Sequence, residues 1–137
     1  MATSEGELRI ALLPTVAPLT VWNFVSLAEA GYFDGLTFHR VVPDFVVQTG
    51  DPRGDGWGGP GFEIPDELSS QPYSEGAVGM ALSGPDTGGS QWFVTTAPQP
   101  HLDYGFTVFG RLTSGLRVAR AMDIEDRITG VVIERAR

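Results

Sequence analysis

The chain has 137 residues, of which 42% are hydrophobic and 19% are charged, proportions typical of one globular domain with a single core. Its net charge of −8 disfavours nucleic acid as a partner, and the absence of cysteine excludes disulfides, thiolate metal sites and thiol catalysis. The sequence has no apolar signal region and no apolar run of membrane-spanning length. We therefore expect a cytoplasmic protein that binds neither nucleic acid nor membranes.

The first part of the chain predicts one helix between β-strands. Residues 7–13 have the composition of a strand that ends at Pro14. Residues 18–30 form the clearest helix, because proline suits its first turn, apolar residues follow one face and Gly31 suits its end. Two further strands are predicted at residues 37–42 and 45–48.

The second part of the chain predicts mostly strands. Residues 50–61 are too rich in glycine for a regular element and indicate a long surface loop. A short helix is predicted at about residues 116–122, with Thr113 or Ser114 as its cap. Strands are predicted at residues 77–82, 92–95, 107–112 and 127–135. Many short strands with two isolated helices favour an all-β barrel with helical covers over a βαβ arrangement.

Metal and nucleotide sites find little support in the sequence. His39 and His101 are far apart and belong to no paired-histidine motif, so we expect no transition-metal site. Asp51 and Asp55 are faintly similar to a calcium loop, but Phe62 stands where the closing glutamate belongs. The same loop lacks the Gly-Lys-Ser/Thr ending of a phosphate loop, so the sequence predicts no bound metal or cofactor.

The sequence disfavours two classes of hydrolase. Residues 86–88 have the Asp-Thr-Gly triplet of aspartic proteases, which would act as a homodimer with two carboxylates sharing a proton. The preceding Ser-Gly-Pro breaks a strand, so a turn is the better interpretation of Asp86. Ser90 lacks the G-x-S-x-G elbow of serine hydrolases, and nothing in the sequence associates either histidine with it.

Polar residues inside β-like segments are the remaining candidates for chemistry. Strand alternation puts Arg40 on one face with Val42, and Val46 on one face with Gln48. An arginine and a glutamine could thus lie beside Phe and Val surfaces. Alternation by itself also allows the plainer interpretation, in which Arg40 lies along the barrel wall above ordinary core aromatics.

Two long segments carry a family resemblance. FHRVVPDFVVQTGDPRGDGWGG and GAVGMALSGPDTGGSQWFVTTAPQPHLDYGFTVFG are similar to the two signature blocks of the cyclophilin family of peptidyl-prolyl cis/trans isomerases. The similarity extends from about residue 6 to the C-terminus. It implies a closed eight-stranded antiparallel β-barrel capped by two α-helices, in one isomerase domain over residues 1–137. Its first strand would be truncated, because only Met1, Ala2 and Thr3 precede the turn at residues 4–6.

The resemblance also implies site residues. Arg40 takes the position of the catalytic arginine, with His39 beside it and Gln48 as a polar contact. Leu82 and Ser83 would bind the substrate chain through their backbone, and Gln91 would be a further polar contact. Five apolar residues would form the proline pocket: Phe45, Val46, Phe93, Leu102 and Phe106. His101 stands where many members have tryptophan, so weak cyclosporin binding is expected.

The resemblance implies a cofactor-free enzyme that accelerates rotation about Xaa-Pro bonds in peptides and in unfolded or flexible protein clients. A catalytically silent binder of proline-containing segments is the second interpretation. We expect a monomer, with pairing of two copies through an exposed strand edge at residues 131–133 as the alternative.

Overall fold

The computed structural model describes residues 1–135 and is mostly β-structure with two helices, as the sequence predicted. One turn of 3-10 helix, Pro100–Leu102, lies between the strands Trp92–Thr95 and Val108–Ser114. The elements in chain order are β1 (Ala2–Thr3), β2 (Arg9–Leu12), α1 (Pro18–Glu29), β3 (Arg40–Val42), β4 (Val46–Thr49), β5 (Ala77–Met80), β6 (Trp92–Thr95), β7 (Val108–Ser114), α2 (Leu116–Ala121) and β8 (Ile128–Gly130).

The eight strands divide into two antiparallel sheets. Six of them form one sheet in the order β2-β7-β5-β6-β4-β3, and β1 pairs with β8 in a second sheet. The eight strands therefore do not form one continuous hydrogen-bonded sheet, as the predicted closed barrel would require. Isolated bridges, Ala2 with Glu7 and Thr37 with Arg127, join the β1–β8 region to the segments that precede β2 and β3, the two edge strands of the larger sheet.

Helix α1 begins as predicted but is capped by a distant residue. Pro18 occupies its first turn, where a missing N–H costs nothing. The backbone N–H groups of Leu19 and Thr20 donate to the carboxylate of Glu67, at 3.1 and 2.6 Å. This acceptor lies 47 residues from Thr20, so a contact between distant segments supplies what a neighbouring Ser or Asp usually supplies.

The main core lies between α1 and the six-stranded sheet. The centroid of the Phe24 ring of α1 lies 5.1 Å from that of Phe33, 5.3 Å from that of Phe109 and 5.5 Å from that of Trp92, which it meets edge to face. All four side chains are buried. Such aromatic groups bury large apolar areas and adopt tilted or edge-to-face pairs. The helix is thereby fixed against β6 and β7.

The predicted cap of the second helix is wrong. Thr113 and Ser114 belong to β7, and Gly115 stands at the N-cap with φ of 102° and no side-chain cap. A Cβ at Gly115 would lie 2.6 Å from the backbone oxygen of Glu7. Glycine is required here for its left-handed conformation and for the close approach of the β2 segment.

The C-terminal strand is shorter than predicted. It ends at Gly130 and not at residue 135, and the side chain of Val132 is 78% exposed. The first strand is short, as expected, yet it pairs with β8 through Ala2 opposite Gly130 and Thr3 opposite Ile128. The predicted open edge at residues 131–133 is therefore wrong, since these residues form no strand in the described part of the chain.

Candidate active site

Arg40 and Gln48 face each other across the β3–β4 hairpin. They are direct partners in its antiparallel register, and Gln48 in turn lies opposite Phe93 of β6. The Arg40 Nη1 donates to Gln48 Oε1 at 3.5 Å, and the centre of the guanidinium lies 5.4 Å above the Phe45 ring. The pairing and the cation–π contact hold an exposed arginine beside an aromatic surface.

The five residues predicted for the proline pocket lie together. All of them belong to a second apolar cluster, separate from the main core, with Val46, Phe93 and Leu102 buried and Phe45 and Phe106 half-buried. The Phe93 and Phe106 rings meet edge to face with centroids 6.2 Å apart. The half-buried rings give the pocket an apolar surface that a small ring can contact next to Arg40.

Tyr73 supports the pocket from below, and sequence reasoning missed it. Its ring stacks on Phe93 at 5.7 Å, and its hydroxyl lies 3.1 Å from the backbone oxygens of both Phe106 and Thr107. Burial raises the pKa of Tyr73 far above its usual value, so the hydroxyl stays a donor. Gly79 of β5 makes room for both rings. A glycine inside a predicted strand is the one signal in the sequence that other side chains approach the backbone closely at this point.

His101 lies at the exposed rim of the pocket on the 3-10 turn. Its ring centroid is 5.6 Å from that of Phe45. The side chain of Gln99 donates to the backbone oxygen of Asp44 at 2.7 Å and ties this turn to the β3–β4 turn. Asp44 has φ of 58°, which Asp tolerates better than most residues. The rim is thus fixed to the hairpin that holds Arg40.

His39 is half-buried next to the catalytic candidates. Neither ring nitrogen has a hydrogen-bond partner within residues 1–135. Burial lowers the pKa of His39, and the opposing effect of the Asp51 carboxylate does not restore it. The imidazole is therefore neutral at neutral pH, with its environment favouring the uncharged form.

A polar groove of about 440 Å³ adjoins the pocket. Gln48, Leu82 and Ser83 are among the residues that line it, together with Trp57, whose side chain is 82% exposed and which sequence reasoning did not single out. The N–H of Ser83 already donates to Thr87 Oγ1 at 2.7 Å. The Leu82 backbone is therefore the better candidate to meet a substrate chain.

Gln91 connects this groove to the arginine. Its Oε1 accepts from Gln48 Nε2 at 3.0 Å, and its own Nε2 donates to the backbone oxygens of Gly56 and Gly58. The predicted polar contacts, Gln48 and Gln91, thus form one hydrogen-bonded chain that ends at Arg40.

The structure contradicts the alternative chemistries. Asp86 stands in a turn with φ of 59°, where it exchanges hydrogen bonds with Asp66. Ser90 donates to the backbone oxygen of Gly50 and is not bonded to either histidine. Both carboxylate oxygens of Asp51 accept backbone N–H groups, which explains this residue as a loop anchor and not as a calcium ligand. No helix among the described residues is long and apolar enough to span a membrane.

Comparison with known proteins agrees with this geometry. The sequence matches the family described as "Cyclophilin type peptidyl-prolyl cis-trans isomerase/CLD" over residues 1–136. It is 46% identical to a peptidyl-prolyl cis-trans isomerase of Synechococcus elongatus over 97% of this chain and 93% of that protein. It is 49% identical to peptidyl-prolyl cis-trans isomerase B of Bacillus subtilis over 94% of this chain and 92% of that protein.

Solved structures give the same answer. A crystal structure of a cyclophilin-type isomerase from Cryptosporidium parvum has a TM-score of 0.93 and 30% identity, covering 100% of this chain and 96% of that chain. A second crystal structure of that protein, in the presence of the dipeptide Ala-Pro, has a TM-score of 0.92 and 29% identity over 99% and 98% of the two chains. This chain belongs to the cyclophilin-type peptidyl-prolyl cis-trans isomerase family.

Proposed function

We propose that the chain catalyses rotation about Xaa-Pro bonds with Arg40 as the group that stabilises the twisted peptide bond. The observation that carries the proposal is the position of the Arg40 guanidinium, 5.4 Å above Phe45 at the edge of an apolar cluster that also contains Phe93 and Phe106. The crystal structure of a relative in the presence of Ala-Pro supports proline-containing segments as substrates.

The chemistry follows from the peptide bond. Its partial double bond opposes rotation with a barrier of about 18–20 kcal/mol, so uncatalysed Xaa-Pro isomerisation takes on the order of tens to hundreds of seconds. When the bond twists, conjugation is lost and the prolyl nitrogen gains a localised lone pair that can accept a hydrogen bond. Arg40 can donate to that nitrogen, because its guanidinium carries donors in fixed directions. The interaction is stronger in the twisted state than in the planar state, which is the condition for catalysis.

The apolar pocket supplies the other half of the mechanism. Five apolar residues hold the proline ring while the preceding acyl group turns: Phe45, Val46, Phe93, Leu102 and Phe106. The backbone at Leu82 and Ser83 binds the adjoining chain, at Ser83 through its carbonyl oxygen, because the Ser83 N–H already donates to Thr87. His39, neutral because burial lowers its pKa, shapes the edge of the site without adding charge. Lowering the barrier by about 7 kcal/mol corresponds to an acceleration of roughly 10⁵-fold. This mechanism uses no cofactor.

The finer features of the domain belong to the same proposal. We infer that the two sheets form one closed eight-stranded barrel, because a bridge spans each of the two gaps between them. The protein acts as a monomer in the cytoplasm, as one domain over residues 1–137, on unfolded or flexible protein clients. A strand-paired dimer, the alternative to this monomer, would need a strand edge at residues 131–133, and these residues form no strand.

Replacement of Arg40 tests the mechanism. Arg40→Ala should lower kcat/KM for a short Xaa-Pro peptide by at least about tenfold, because loss of one oriented donor can remove about 2.7–4 kcal/mol of transition-state stabilisation. NMR exchange spectroscopy measures the rate directly, and circular dichroism verifies the fold. Retention of the wild-type exchange rate by the folded variant would contradict the role of Arg40. A wild-type chain that binds the peptide without accelerating exchange would be a silent binder.

A further inference from the structure

The glycine-rich loop after β4 is built around a buried carboxylate. The side chain of Asp51 is 1% exposed. Its Oδ1 accepts the N–H of Arg53 at 2.8 Å, and its Oδ2 accepts the N–H groups of Asp55 at 3.0 Å and Gly56 at 2.5 Å. Burial acts to raise the pKa of Asp51, but these backbone donors outweigh it and hold the pKa below its usual value. The backbone of the loop is thus held by hydrogen bonds to the ionised carboxylate of Asp51.

Gly58 completes this packing. A Cβ on Gly58 would lie 1.9 Å from Asp51 Oδ1, a distance that no real side chain tolerates. The carboxylate therefore packs directly on the backbone of residue 58. The neighbouring Gly59 differs, since a Cβ there would meet no atom within 4 Å.

The loop presents two carbonyl groups to Gln91. Gln91 Nε2 donates to the backbone oxygen of Gly56 at 2.9 Å and to that of Gly58 at 2.8 Å. Both amide hydrogens of Gln91 are thus used by the loop, and its Oε1 must point to Gln48. A reversed amide would set its oxygen against two carbonyl oxygens.

The direction of this amide decides the direction of the next one. Gln48 donates its Nε2 to Gln91 Oε1 at 3.0 Å, which leaves Gln48 Oε1 as the acceptor for Arg40 Nη1 at 3.5 Å. Arg40 thereby meets an acceptor and not a second donor. From Arg40 to the loop, each group donates a hydrogen bond to the next one. The loop fixes this donor-to-acceptor direction, because its carbonyl oxygens can only accept.

We propose that Asp51 is a positioning residue, which holds the loop of residues 53–58 against Gln91 and thereby orients the Gln48 amide and the Arg40 guanidinium. Asp51 acts without contact with the substrate. This inference rests on the proposed role of Arg40, and it adds a residue that neither the pocket nor the groove contains.

A double-mutant cycle tests the coupling. Asp51→Asn replaces one acceptor oxygen by an NH₂ group, so at least one backbone donor loses its partner, and we expect kcat/KM to fall by roughly three- to tenfold. Gln91→Ala should lower kcat/KM as well. If Asp51 acts through Gln91, Asp51→Asn in the Gln91→Ala background should cost less than about twofold, because the two residues share one network. Multiplicative losses would overturn the proposal.

Two glycine substitutions provide a second, matched test. Gly58→Ala should lower kcat/KM about as much as Asp51→Asn, because the new methyl group displaces the Asp51 carboxylate. Gly130→Ala adds the same methyl group on β8, outside the loop and the groove, where its Cβ would meet no atom within 4 Å, and it should leave kcat/KM within about twofold of wild type. This pair decides the matter if Asp51→Asn does not fold. Equal effects of the two substitutions would overturn the proposal.

Side-chain NMR separates this proposal from the role of Arg40. In ¹⁵N spectra of the folded Asp51→Asn variant, the Gln48 and Gln91 amide signals and the Arg40 Nε–H signal should move. A purely structural role far from the site would not move them. Failure of Arg40→Ala to slow isomerisation would overturn the catalytic role alone. Unchanged glutamine and arginine signals in Asp51→Asn would overturn the positioning role.

Discussion

A methyl group added at Gly79 should disturb the proposed proline pocket from below. Gly79 lies in β5, and a Cβ there would lie 2.3 Å from the Tyr73 hydroxyl and 2.6 Å from the tip of the Phe93 ring. Both rings are buried and stacked on each other, so neither can yield without moving the other. Gly79→Ala therefore forces apart the stack that supports the pocket.

The magnitude follows from two contributions. Overpacking of a filled core costs about 1–3 kcal/mol. Displacement of the Tyr73 hydroxyl from the backbone oxygens of Phe106 and Thr107 costs about 1 kcal/mol more. We expect Gly79→Ala to lower the free energy of unfolding by roughly 2–4 kcal/mol. Because Phe93 moves with Tyr73, kcat/KM for an Xaa-Pro peptide should fall by about tenfold, equivalent to about 1.4 kcal/mol.

Urea denaturation and NMR exchange measure the two effects, and two further variants make them specific. Gly130→Ala is the matched control, because this glycine also lies in a strand and its Cβ would meet nothing within 4 Å. Tyr73→Phe removes the closest clashing atom, so it should partly restore the stability of Gly79→Ala. If Gly79→Ala and Gly130→Ala have equal stability, or if Tyr73→Phe makes Gly79→Ala worse, the packing argument is refuted.

The remaining predictions concern pH, inhibitor binding and the first strand. Burial lowers the pKa of His39, so kcat/KM should stay flat between about pH 6.5 and 8.5, and a steep bell-shaped profile would implicate His39 in proton transfer. The lowered pKa of His39 in the folded state contributes stability that is present above its unfolded pKa of about 6.5 and is lost as the pH falls toward its folded pKa. The melting temperature should therefore fall less on acidification in His39→Gln than in wild type. His101→Trp should tighten cyclosporin binding in calorimetric titration with little effect on turnover, because indole offers a larger apolar face and a donor beside Phe45, and equal affinities would refute this. Five to seven β-branched residues added before Met1 should raise the melting temperature, because they can fill the groove of about 980 Å³ between β2 and residues 131–135. An equally long Gly-Ser extension should not raise it. Equal melting temperatures of the two extended chains would show that no strand enters the groove.

The sequence by itself determined the family and the order of the main elements, and it pointed to apolar residues that the structure brings into one cluster. Helix α1 follows from its proline, its apolar face and the glycine after it, all of which are local signals. The two signature segments placed Arg40 and Gln48 on the correct strands and Phe93 in the correct cluster. The strand assignments rest on local composition, whereas the site residues come from the resemblance of these segments to the signature blocks of the family.

Boundaries were less well determined, because competing local signals decide them. Residues 131–135 are apolar enough to predict a strand, yet the ladder with β1 ends at Gly130. Gly115, and not the hydroxyl residues before it, starts α2, because the chain passes too close to Glu7 for a side chain. In the first case the limits of strand pairing, and in the second the space between two chain segments, outweigh the local structural propensity of the residues.

Only the tertiary structure decided what supports the site. The stack of Tyr73 on Phe93, the cap of α1 by Glu67 and the bonds from Gln91 to Gly56 and Gly58 join residues 20 to 47 positions apart. No periodicity marks such pairs, because they depend on which segments pack together and not on the order of residues within a segment. Half of residues 50–61 are glycine, and such a composition predicts a loop without showing what the loop contacts. Two of its carbonyl groups accept hydrogen bonds from Gln91, and a backbone oxygen acts through its position alone, which no residue type reveals.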